Sequence, residues 1–290
     1  ESTRPQGPVP VDESDEVRRV LSVVRGLRKR LANVPLSIDI VKSQLMLVAL
    51  DEAEASIKYG SAFRLDPSMP AGQVFEVRVK YAGNPKTGPS KLLGAAGWEE
   101  LADGVSVASQ PHGAPSWFPC NDRPDDKATY TITVTTASDY HVAATGELTS
   151  KRRGGSATTW VHEQQAPMAT YLASVQIGRY DVAEVEADVP LIRVTPQPAN
   201  EAGYDAAFGD QPRMLAFFSR LFGPYPFPSY TCVITDDDLE IPLESQGLST
   251  FGRNFMVDDW DAIRLVAHEL SHQWFGNAVT LGAWKDIWLH

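Results

Sequence analysis

Two histidines four residues apart, His268 and His272, with Glu269 beside the first, constrain this chain more than any other feature. On an α-helix, residues four apart stand one turn above the other on the same face, so both imidazoles can converge on one metal ion. Glu269, about 100° round the helix from His268, is left to handle a proton of water rather than to fill a ligand position. The local sequence predicts the helix this requires. Asp258, Asp259 and Asp261 offer an N-cap and first-turn carboxylates; Ile263, Val266, Leu270 and Trp274 recur at helical spacing; Gly276 with Asn277 supplies a stop. The bland alternative is an amphipathic core helix with two incidental histidines. With six histidines in the chain, a random sequence would show this arrangement in about one case in a hundred or fewer.

A catalytic zinc site normally has three protein ligands and one open position. HELSHQWFGNAVT followed by WKDIWLH closely resembles the aminopeptidase N family of zinc exopeptidases, gluzincin type and actinobacterial-like. The resemblance implies one zinc ion held by His268 and His272, with Glu269 as general base. It also implies a glutamate as third ligand, 19 places after the second histidine. Counting from His272 gives position 291, one past His290. His290 itself offers an imidazole at a neighbouring helical position. Family members also use a later tyrosine to stabilise the oxyanion, and a helical C-terminal domain.

Two further segments carry the resemblance. QPHGAPSWFPCNDRPDDKATYTITV, from Gln110 to Val134, and MATYLASVQIGRYDV, from Met168, are similar to the part of the family's β domain that floors the substrate cleft. Gln110 matches a glutamine that contacts the first substrate residue, and His112 stands where many relatives have an acid that helps hold the substrate's amino terminus. IPLESQGLSTF, 241–251, is similar to an edge strand usually read as Gly-Ala-Met-Glu-Asn, with Glu244 in place of the glutamate that binds the free α-amino group. Ile241, Leu243 and Ser245 replace the usual Gly, Met and Asn. An ammonium beside a partly buried carboxylate is favoured over an uncharged peptide nitrogen, so one placed charge can select chain ends. Asp286, on the next predicted helix, is a candidate to support a ligand histidine through its carboxylate, with surface helix pairing as the alternative. Trp274, Trp284 and Trp288 are expected to pack these two helices together.

The remaining sequence divides by texture. Residues 1–14 read as a flexible lead-in, and 15–33 as a basic amphipathic helix with Val17, Leu21 and Val24 on one face. From residue 36 short β-branched and aromatic runs, punctuated by turn residues, predict antiparallel strands to about residue 185. VPLIRVTP and YTCVITDDD then read as strands either side of one helix that stops at Gly223, and DDDLE as a solvated turn. With the resemblance, the expected fold is a mainly β N-terminal domain of antiparallel, saddle-like sheets over 15–185. The first, incomplete part of an α+β thermolysin-like catalytic domain follows over 186–290.

Composition narrows the function. Apolar content of 43% and charged content of 22% are those of a soluble globular protein. A net charge of 26 − 37 = −11 gives no support for nucleic acid, and no apolar run of membrane-spanning length or leader pattern occurs. Residue 1 is Glu rather than Met, which leaves room for something upstream. Cys120 and Cys232 are too few for a disulfide framework and read as reduced, which favours the cytoplasm. The expected partners are peptides with a free N-terminus, with no nucleic acid and no membrane. The expected activity is release of N-terminal amino acids. A catalytically silent peptide-binding or scaffold fragment is the second reading, and a zinc endopeptidase, against which Glu244 argues, the third.

Overall fold

In residues 128–137 and 157–164 the inward-facing side chains fall at every second position, and the chain folds as that period of two demands. The computed structural model describes residue 79, residues 81–90 and residues 94–289. The lead-in, the basic helix and the first expected strands lie outside these residues, as does His290. From Asn84 onward the chain forms one compact unit.

Its N-terminal part holds two antiparallel sheets. The first is built from β1 (Gly88–Ser90), β2 (Gly94–Leu101), β3 (Gly104–Ala108), β5 (His141–Ala144) and β8 (Val175–Gly178), in the order β1-β2-β3-β8-β5. The second contains β4 (Ala128–Ala137), β6 (Glu147–Gly154) and β7 (Ala157–Met168), in the order β4-β7-β6. On β7 the buried residues Thr158, Trp160, His162 and Gln164 fall at every second position. Trp160 packs against Val107, Val142, Val175 and Ile177 of the first sheet, so the two sheets share one apolar layer.

The C-terminal part is a mixed sheet, β12-β13-β11-β10-β9. Its strands are β9 (Tyr180–Val185), β10 (Leu191–Pro196), β11 (Tyr230–Thr235), β12 (Leu243–Ser245) and β13 (Leu248–Gly252). β10, β11 and β13 run parallel, and β9 and β12 are antiparallel edges. The last strand before residue 185 therefore belongs to this sheet. On β11, Tyr230, Cys232 and Ile234 point into the layer shared with the helices, while Val233 faces Tyr180, Val194 and Ala143 on the other side. Burial on both faces accounts for the nearly unbroken apolar run of this strand.

Between β10 and β11 the expected single helix is two: α1 (Glu201–Phe208) and α2 (Gln211–Phe222). Pro212 has no N–H, and inside a helix its ring would strike the carbonyl of Phe208. It sits in the first turn of α2 instead, with Gly209 and Asp210 as the break. The third helix, α3 (Trp260–Ser271), starts where the sequence predicts, with the Asp259 carboxylate accepting from the Ala262 N–H at 2.8 Å. It ends earlier than expected: His272 is the C-cap and Trp274 lies in the following turn. Gly276, at φ +121°, then reverses the chain.

The tryptophans divide between two layers. Trp274 packs edge-on to Phe218 and Phe222 of α2 and to Tyr225, and donates to the Gly223 carbonyl at 3.0 Å. Trp284 packs on Tyr171 and His112 of the β region. The two thus anchor α3 and its successor to different partners rather than to each other. The Trp288 side chain lies outside the described residues. The proline-rich link before β11 contributes Tyr225 and Phe227 to the core, and Arg253 pairs with Asp236 and Asp238 in the turn after β11. Both cysteines are free thiols. Among the described residues no helix is long and apolar enough to cross a membrane.

The end of α3 is tied to the β12–β13 hairpin by side-chain amides. Gln273, fully buried, accepts from the Gly247 N–H at 2.8 Å and donates to the Ser245 carbonyl at 3.2 Å. Asn277, also fully buried, donates to the same carbonyl at 3.0 Å. Gly247, at φ +71°, is the hairpin's turn residue. Replacing Gln273 by Leu strands the Gly247 N–H in the interior. The expected cost is about 2 kcal/mol in urea unfolding, with faster hydrogen exchange at the Gly247 amide and the far-UV spectrum retained.

A second cavity, of about 390 Å³, is lined by His141, His162, Glu147 and Glu184. His141 stacks edge-on to Trp160 at 4.5 Å, and Lys151 lies over the same ring. Burial holds both histidines down to about 4 from the usual 6.5; the nearby Lys151 and His162 charges add to the effect at His141. As pH falls, the unfolded chain takes up these protons below 6.5 while the folded protein refuses them until about 4, so stability drops across that window. Urea midpoints at pH 7 and pH 4.5 are expected to show a loss of about 2 kcal/mol or more, and His162→Phe should flatten this acid limb.

Candidate active site

Three separated stretches of sequence meet at one cavity of about 600 Å³. Its floor is the C-terminal turn of α3, with His268, Glu269 and His272. One wall is the edge strand β12 and the loop before it, with Glu240, Ile241, Leu243 and Glu244. Further lining comes from β2, β3 and the segment after them, with Glu99, Ser106 and Gln110.

The two histidines converge as their spacing predicts. Their Nε2 atoms are 3.1 Å apart, and the rings stand nearly perpendicular at 83°. Nδ1 of His272 lies 3.0 Å from the Phe275 carbonyl. A carbonyl oxygen only accepts, so Nδ1 carries the proton and Nε2 turns its lone pair towards His268. Two ligand atoms on a tetrahedral zinc stand about 3.3 Å apart, so this spacing fits a shared cation.

Glu269 is buried, 4% exposed, and its Oε2 has no hydrogen-bond partner. Burial, followed by the neighbouring charge of Glu244 and a hydrogen bond with it, pushes the Glu269 carboxyl well above the usual carboxylate range. Ligand atoms of Glu244, Glu269 and His272 all lie within 4.8 Å of one another. These three groups, with the His268 Nε2 3.1 Å from that of His272 and an orphaned buried acceptor among them, form a donor set suited to a divalent cation. His268, Glu269 and His272 come from one helical turn, and Glu244 faces them from across the cavity.

Gln110 also lines the cavity, with its Oε1 buried and without a partner. His112 does not. It is exposed, with Nδ1 3.5 Å from Asp122 and its ring edge-on to Trp284. Asp286 is exposed on a 3-10 turn, Trp284–Leu289, outside the cavity wall. The hydrogen bond expected from a carboxylate to a ligand histidine is made at His272 by the Phe275 carbonyl instead. Reversal of the chain at Gly276 brings that carbonyl back under the ring.

Three residues at the site have no role there that the sequence predicts, Asn277 being read only as part of a helix stop. Gln273 and Asn277 hold the Glu244 strand to α3. Tyr171 donates from its hydroxyl to the Gly276 carbonyl at 2.7 Å, and lies close enough to Glu244 for that charge to raise its pKa further above the value burial already imposes. The first two follow directly on the histidine motif, and their side-chain amides are the signal that something polar must be grasped beside it. Nothing in the local sequence distinguishes Tyr171 from the other aromatics of the β region.

Comparison with known proteins supports one lineage for this part of the chain. The Peptidase M1 N-terminal domain profile matches residues 100–172 and the Peptidase family M1 domain profile matches residues 206–290. A third profile, Pterin binding enzyme, matches residues 1–71, outside the described residues. Glutamyl aminopeptidase of Homo sapiens is 30% identical over 64% of this chain, which spans 21% of that protein's length. An M1 zinc metallopeptidase from Deinococcus radiodurans is 31% identical and superposes with a TM-score of 0.64 over 71% of this chain and 48% of its own. A mutant of that enzyme, bound to a Tyr-Ser-Ala substrate, aligns with the same TM-score, identity and coverage. Two M1 profiles in sequence order, aminopeptidase relatives and a solved M1 zinc metallopeptidase at 31% identity converge on one assignment: from residue 100 onward the chain belongs to peptidase family M1.

Proposed function

We propose that this chain is part of a zinc aminopeptidase that removes N-terminal residues from peptides. The observation that carries the reading is the 3.1 Å approach of the His268 and His272 Nε2 atoms beside a buried Glu269 whose outer oxygen is unpartnered. His268 and His272 would hold the zinc, and the glutamate expected at position 291 would complete its protein ligands. When bound, the metal supplies a Lewis acid that polarises the scissile carbonyl and makes water a nucleophile at neutral pH.

The chain's own residues do the rest. Glu269 accepts a proton from the attacking water and delivers it to the leaving amine nitrogen, the work of a general base and then a general acid at one atom. A desolvated carboxylate suits this, because its affinity for the proton is raised. Glu244 faces Glu269 across the cavity and accepts hydrogen bonds from the substrate's free ammonium. Gln110 offers its unpartnered Oε1 as a further acceptor at that end. Such anchoring sets the first peptide bond, rather than an internal one, over the reactive centre. His112 and Asp286 have no place in this scheme. The free thiols support a reducing, cytoplasmic setting.

Zinc titrated into the chain should bind at one equivalent, and His268→Ala or His272→Ala should weaken binding by about tenfold or more. Zinc-dependent release of a chromophore from an aminoacyl amide is expected, and Glu269→Gln should reduce it by about 10²–10⁴-fold with zinc still bound. Peptide binding without turnover would favour the silent-fragment reading. Cleavage of N-blocked peptides as fast as free ones would exclude the exopeptidase.

A further inference from the structure

The walls of the active-site cavity carry an uneven charge. Glu99, Asp238, Glu240, Glu244 and Glu269 all line it, and no lysine or arginine does among the described residues. Asp238 is neutralised by Arg253 at 3.2 Å. Glu244 and Glu269 face each other at the centre. Glu99 and Glu240, both exposed, also line the cavity, and neither forms a salt bridge among the described residues. The buried Glu269 Oε2, without a hydrogen-bond partner, and the buried Gln110 Oε1, likewise without one, belong to the same cavity and call for a ligand that donates hydrogen bonds. Ile241, next to Glu240 in the chain and 46% exposed, and Leu265, half-buried on α3, line the same cavity. An apolar wall that ends in a carboxylate suits a long aliphatic stem with a cationic head.

We infer that the cavity selects peptides whose first side chain is cationic, lysine or arginine, with Glu240 and Glu99 as the residues that set this preference. The inference rests on the aminopeptidase reading of the same cavity and adds the substrate class to it. A head group drawn to the rim leaves the α-ammonium for Glu244, so the two positive charges of such a substrate meet separate carboxylates. A glutamate or aspartate in the first position would face like charge from both carboxylates. A neutral aliphatic side chain would gain only the Ile241 and Leu265 surface.

The test is binding of L-arginine amide, L-lysine amide, L-leucine amide and L-glutamate α-amide to the intact chain by calorimetry, with zinc ions added, at low and high salt. Arginine and lysine amides should bind about fivefold or more tighter than leucine amide, and glutamate amide weakest. The cationic advantage should shrink as salt screens it. Glu240→Gln and Glu99→Gln should each lower the arginine-to-leucine ratio about twofold, and the double variant should remove most of it. Equal binding of arginine and leucine amides, or a ratio that survives the double variant, would overturn the inference and leave the aminopeptidase reading standing. Failure of every amide to bind, or equal binding of N-acetylated arginine amide, would overturn the aminopeptidase reading itself and this inference with it.

Discussion

The geometry of the cavity depends on a contact that carries no chemistry of its own, the grip of Gln273 and Asn277 on the turn of the β12–β13 hairpin. An edge strand has one side of its backbone unpaired, and β12 is only three residues long. The β13 ladder positions one side of it. The other side faces the end of α3, where two amides hold the Ser245 carbonyl and the Gly247 N–H. Because His272 directly precedes Gln273, the helical turn that presents the histidines also sets the distance to Glu244. A helix and an edge strand from different layers are thereby fixed to within hydrogen-bond tolerance, which a catalytic constellation requires.

The same grip makes an unfavourable electrostatic arrangement persist. Glu244 and Glu269 would separate if either backbone were free to move, since neighbouring carboxylates raise each other's proton affinity. Held together, they store a demand for positive charge. Around them, the His272 Nδ1 proton goes to the Phe275 carbonyl, and the Tyr171 hydroxyl donates to the Gly276 carbonyl. Two carboxylates held this close favour a positive charge beside them.

Much of this was legible in the chain before any coordinates. Histidine spacing gave the convergence of the two rings, Asp259 the start of α3, and period-two alternation the β7 face that buries Trp160. Glu244 and Gln110 were found by resemblance and do meet the histidines at the cavity. What was not legible depends on chain reversals. Gly276 swings the Phe275 carbonyl under His272, and with it the role first given to Asp286 passes to the backbone. His112 sits two residues past Gln110, yet its ring turns to Asp122 and Trp284. One residue of strand or turn changes the side on which a chain points, and no composition or periodicity reports that. Pro212 marks the break between α1 and α2, but the apolar period continues across it and hides the break. The first 71 residues match a different profile, and their helix-and-strand texture carried no sign of it.

The charge on the cavity walls follows from how few positions there are tied by structure. Glu269 is required by its place between the histidines, and Glu244 by the hairpin that α3 holds. Asp238 is balanced by Arg253 on the neighbouring strand end. Glu99 and Glu240 have no such obligation: each is solvent-exposed, and either could be a neutral residue at little cost to folding. Two such carboxylates from distant parts of the sequence add negative potential to one cavity, which favours a cationic ligand there. Zinc would neutralise the centre, where Glu244 and Glu269 stand, and its field weakens towards the solvated rim. The rim charge therefore remains available to whatever enters the cavity alongside the anchored amino end.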